Sequence, residues 1–194
     1  MKTFHINTKE SFIADSISIS KANQTPENNI QEQNNKGIEF RSFISLSTEQ
    51  APIARVLVDL VQMHFPDASP CFEATNDLRL GDRWLEKTAE ALRSARFFFL
   101  LVGEQEMQKH WLHFETGAAW QRGIPIFVLS HTGVQITTLP QPYTNFQGCE
   151  IDTHQGIRKF VLDLSSHLKI ESPKSVDFSS ILEDIEEAKK QSSE

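Results

Sequence analysis

Phe97-Phe98-Phe99-Leu100-Leu101-Val102 is an apolar run without a polar interruption. A strand wetted on one face alternates apolar and polar residues, so an unbroken run of this kind belongs to a strand covered on both faces. "IPIFVL" (Ile124–Leu129) repeats the signal. Between the two lies a helical stretch, Trp111–Arg122, with Gly123 placed to stop it. Two doubly covered strands joined by a helix form a parallel unit, and such sheets need helices on both faces.

The alternation extends in both directions. Phe40, Phe43 and Ile44 open a short strand ending at Ser45. Pro52 suits the first turn of a helix carrying Ile53, Val56, Leu57, Leu60 and Val61. Cys71–Ala74 reads as a brief strand, Thr75–Arg83 as a polar loop, and Trp84, Leu85, Ala91, Leu92 and Ala95 as a second amphipathic helix. Phe146–Ile151 supplies a fifth strand, and Ile157, Phe160, Val161, Leu164 and Leu168 a further helix. The expected class is therefore α/β: three layers, with a five-stranded, mostly parallel sheet between helices.

Three segments follow from the changes in texture. Residues 1–36 contain the tract "NQTPENNIQEQNN", which has nothing to bury, and are expected to form a polar, partly disordered appendage. Residues 37–170 carry the domain. Residues 171–194 read as a linker and a short amphipathic helix (Phe178, Ile181, Leu182, Ile185) that docks on the domain, meets a sensor domain or partner protein, or begins a further domain. A net charge of −7 without any basic stripe argues against nucleic acid or an anionic membrane as partner. No apolar leader and no long apolar run are present, and Cys71 and Cys149 lack CxxC spacing, so the expectation is a cytoplasmic protein with buried thiols.

One residue in this layout stands out. At 100° per residue Glu115 falls about 40° from Trp111, on the side that also gathers Phe114 and Ala118. Burying an unpaired carboxylate costs several kcal/mol or more, so its position calls for a reason. The helix begins at the carboxyl edge of the Phe97–Val102 strand, where open α/β sheets collect ligands and where the helix dipole favours an anion. Glu115 is thus a candidate site residue; the alternative is a glutamate that caps the N–H groups of a neighbouring loop. His110 and His113 lack the further ligands a metal site needs and read as an exposed pair. The sequence contains neither GxGxxG, nor a phosphate-binding GxxxxGK[ST], nor GxSxG.

Three stretches, in order, resemble one family. "FRSFISLS" (Phe40–Ser47) is similar to the first strand and loop of Toll/interleukin-1 receptor (TIR) domains. "NDLRLGDRWLEKTAEALRSARFFFLLV" resembles the loop, helix and buried strand that follow, and "WLHFETGAAWQRGIPIFVL" resembles their Trp-x-x-x-Glu segment and next strand. The resemblance spans roughly Ile38–Leu168. Leu46 stands where the family usually has tyrosine, and Gly103-Glu104 where Ser-Pro is common.

The resemblance implies a flavodoxin-like TIR fold and, for the NAD-cleaving bacterial branch, hydrolysis of the nicotinamide–ribose bond of NAD+, with nicotinamide and ADP-ribose or a cyclic isomer as products. Glu115, four residues after Trp111, occupies the position of that branch's catalytic glutamate. No cofactor is implied, since NAD+ is the substrate. Ser45 and Ser47 after the first strand, and Asn76 and Asp77 after the second, are expected to rim the same crevice as Trp111 and Glu115; Ser47 capping the next helix and Asp77 shaping a turn are the alternatives. The family further implies homo-oligomers through TIR–TIR contacts, with Arg79, Gly81, Asp82 and Arg83 in the assembly loop, and a role as an immune or anti-phage effector. Two other readings stand beside it: a non-catalytic TIR scaffold, and an enzyme like the nucleoside deoxyribosyltransferases.

Overall fold

The computed structural model describes residues 41–69, 71–73 and 84–192. The chain divides into 1–36 and 37–194, and the described elements all belong to the second unit. The appendage expected over 1–36 and the residues Asn76, Asp77, Arg79, Gly81, Asp82 and Arg83 lie outside the described residues.

Five strands form one sheet: β1 (Ser42–Ser45), β2 (Cys71–Glu73), β3 (Phe97–Val102), β4 (Ile126–Ser130) and β5 (Gln147–Glu150). Their order is β2-β1-β3-β4-β5, and every neighbouring pair is parallel. The chain leaves β1 toward β2 on one side and later returns to place β3 on the other. The carboxyl ends of β1 and β3 therefore flank the point where the strand order reverses, which is where sheets of this kind leave a crevice. The α/β class with a parallel sheet is as expected.

The pleat divides the apolar runs between two cores. Ile44, Phe99, Leu101, Phe127 and Leu129 enter one cluster with α1 (Ala51–His64), α4 (His154–Leu168) and α5 (Phe178–Gln191). Phe43, Phe98, Leu100, Val102 and Val128 enter the other with α2 (Trp84–Ser94) and α3 (His110–Gln121). Ring geometry marks both. Phe43 and Phe98 stack at 5.6 Å, while Phe99 meets Phe127 and Phe160 edge-on at 5.6 and 5.4 Å. Such aromatic pairs add about 0.5–1.5 kcal/mol each beyond the area they bury.

Two departures from the expected layout affect function. The connection from β4 to β5 contains only single 3-10 turns, Ile136–Thr138 and Tyr143–Asn145, where strict alternation would put a helix. Pro140 and Pro142 lie in that stretch, and proline does not fit a helix interior. The buried face of α3 is also different: it comprises Leu112, Glu115, Thr116 and Ala119, whereas Phe114 is 58% exposed and Trp111 half-buried. Thr116 is admitted to the core because its hydroxyl donates to the Leu112 carbonyl at 2.7 Å. Gly123, at φ +68°, stops the helix as its position suggested.

The C-terminal helix α5 packs against α1 and α4, burying Ile185 and Ala188 in the first core. Among the described residues no helix is long and apolar enough to cross a membrane. Cys71 and Cys149 are buried, and burial pushes the Cys149 thiol up to about 12.

Candidate active site

Glu115 is 1% exposed, and its carboxylate meets two donors. Ser45, the last residue of β1, donates its hydroxyl to Glu115 Oε2 at 2.5 Å. Trp111, one turn earlier on α3, donates its indole N–H to Glu115 Oε1. Each contact has a local cause. In β1, Phe43 and Ile44 commit to opposite cores, so the next position, Ser45, turns toward the face that α3 covers. In α3 the four-residue spacing stacks Trp111 over Glu115.

Burial dominates the electrostatics. It raises the Glu115 pKa to about 7, and the hydrogen bonds from Ser45 and Trp111, which favour the charged form, recover only part of that shift. At neutral pH the group is therefore poised between acid and base. The site lies at the carboxyl edge of the sheet, in the second turn of α3.

Ser47 is also buried at this edge, but its hydroxyl donates to Glu106 Oε1 at 3.1 Å, not to Glu115. Its backbone N–H donates to Gln50 Oε1 at 2.9 Å. Gln50 Nε2 in turn donates to His131 Nε2 at 2.7 Å, so that ring nitrogen is an acceptor and the imidazole is neutral with its proton on Nδ1. Burial lowers the His131 pKa, against the opposing pull of the Glu106 and Asp152 charges. Gly103 makes this arrangement possible. A Cβ there would stand 2.6 Å from Glu106 Oε2 and 2.8 Å from His131 Cε1, too close for either.

The sequence did not single out Gln50, Glu106 and His131. His131 directly follows β4, and that position at the carboxyl edge was the one available signal. Glu106 offered none, being one of two glutamates in a polar loop. The Ser130 hydroxyl, at the end of β4, is buried without a hydrogen-bond partner among the described residues. His113 is not the exposed residue expected: its Nε2 donates to the Met107 carbonyl at 2.9 Å and its Nδ1 accepts from the Tyr143 hydroxyl. Among the described residues no group of three or more His, Cys, Asp or Glu is disposed to hold a metal ion.

The structure thus joins Ser45, Trp111 and Glu115 in one contact network and ties Ser47 to a neighbouring one. No protein-family model matches the chain, and no curated protein is significantly similar to it in sequence.

Proposed function

We propose that the chain is a TIR-type NAD+ glycohydrolase, with a flavodoxin-like sheet and Glu115 as its catalytic carboxylate. The observation that carries this reading is the Glu115 carboxylate itself: buried, oriented by Ser45 and Trp111, and set at the carboxyl edge beside the reversal in strand order. The β2-β1-β3-β4-β5 order supports the fold assignment.

The chemistry suits a single glutamate. As the C1′–N bond of NAD+ lengthens, the electron pair leaves with nicotinamide, which departs neutral and needs no acid. Positive charge grows on the ribose, as in the oxocarbenium-like states of glycoside hydrolysis. An ionised Glu115 fixed beside the sugar stabilises that charge and accepts hydrogen bonds from ribose hydroxyls. Water then adds to C1′ and loses its proton, which a carboxylate with a pKa of about 7 is well matched to take. Trp111 and Ser45 hold the carboxylate in place, and Ser47, Asn76 and Asp77 are assigned to the substrate's ribose and phosphate oxygens.

The test is incubation with NAD+ and detection of free nicotinamide, alongside a panel of nucleosides. Release of nicotinamide supports the proposal. Turnover of nucleosides alone would favour a deoxyribosyltransferase-like enzyme, and no turnover at high protein concentration would favour a scaffold.

A further inference from the structure

The face of α3 remote from Glu115 borders a second cavity, of about 660 Å³, between that helix and the β4–β5 connection. By helical geometry Gly117 and His113 each point about 160° away from Glu115, so this cavity is separate from the candidate active site. Its volume lies within the range of about 300–1,000 Å³ that small-molecule sites occupy.

Its walls are fixed from within. The His113 ring bridges the Met107 carbonyl and the Tyr143 hydroxyl, pinning the connection to α3. The lining contains no Asp, Glu, Lys or Arg. It presents instead the rings of Trp120, Tyr143 and Phe146 and the flat face of Pro142, with the Gln141 and Asn145 amides exposed nearby. Trp120 is 66% exposed, a large apolar surface left uncovered at the cavity mouth.

Gly117 adds an independent observation. Glycine inside a helix is about 1 kcal/mol worse than alanine, so a helix-interior glycine calls for a reason. Crowding within the chain is not that reason, because a Cβ at Gly117 would meet nothing within 4 Å. The room it leaves opens into the cavity.

We propose that this cavity is a binding site for a neutral, planar heteroaromatic ligand, stacked against Trp120 and Pro142 over Gly117, its polar edge toward the Gln141 and Asn145 amides. The uncharged lining sets the charge of the ligand, because nothing there would compensate a desolvated ion. The aromatic walls set its shape.

Titration of the full chain with indole and with benzimidazole, followed by amide and indole N–H NMR, tests this. Saturable shifts are expected at Gly117 and at the Trp120 indole, with affinities on the order of millimolar for ligands this small. Phenyl phosphate, the charged counterpart, should bind at least tenfold more weakly. Gly117→Leu, whose side chain projects into the cavity where the ligand would stack, should abolish the shifts while the thermal midpoint is kept; Trp120→Ala, which leaves the helix backbone unchanged, should weaken them. Absence of saturable shifts in the wild type, or their survival in Gly117→Leu, would overturn the proposal.

Discussion

Glu115 is pulled in two directions, with burial holding its proton and two donors favouring the charge left when the proton goes. If the ionised form is the active one, kcat/KM should rise with pH and level off above a midpoint near 7. Trp111→Phe removes one donor to the anion, so its midpoint should move to higher pH; Ser45→Ala should act in the same sense. A pH–rate profile for the three proteins checks this, and identical midpoints would contradict it. The helical period in the sequence was enough to single out Glu115. Ser45 was expected at the same crevice, but its hydrogen bond to Glu115 was not legible, because it lies 70 positions away and the two meet only once α3 is laid across β1. The same holds for Gln50 and His131, separated by 81 positions. Contacts of this range depend on strand order, which no local pattern encodes.

Elements were easier to read than their faces. The aromatic residues of α3 suggested a core of Trp111 and Phe114, whereas the helix approaches the sheet through the smaller Thr116 and Ala119 together with Leu112. The large rings sit at the border and pack on each other at 5.1 Å. Small side chains allow close approach, and a polar one is tolerated when its hydroxyl is satisfied locally, as in Thr116. The amphipathic stripe of α5 was likewise visible without its destination. In the fold that stripe meets α1 and α4, and Lys189 adds an ion pair to Asp152 at 3.0 Å. Ile185, fully buried there, makes the docking measurable. Ile185→Ala should destabilise the chain by about 2–4 kcal/mol, read as a lower denaturation midpoint. A change below about 0.5 kcal/mol, the scale of surface substitutions, would show that α5 is not part of the cooperative unit.

At the scale of the whole molecule, the unbroken apolar runs of β3 and β4 were sufficient to demand a covered parallel sheet, and that sheet defines the edge on which Glu115 lies. We further propose, from the family resemblance, that the enzyme works as an assembly in which residues 75–83 of one copy complete the site of the next; head-to-tail contacts of this kind extend into filaments. Specific activity should then rise with protein concentration across a hundredfold dilution series, and Arg79→Ala or Gly81→Pro should flatten that rise. A constant activity per subunit, from a species that scatters light as a monomer throughout, would contradict assembly while leaving the chemistry in place. The proposed chemistry depends on one carboxylate. The most direct measurement is the rate of nicotinamide release from NAD+ by the wild type and by Glu115→Gln, at equal high concentration and with matched circular dichroism. The expected result is a folded variant slowed by roughly 10²–10³ or more, the loss that follows removal of a preorganised electrostatic group. A folded Glu115→Gln protein that cleaves NAD+ at the wild-type rate would contradict the account.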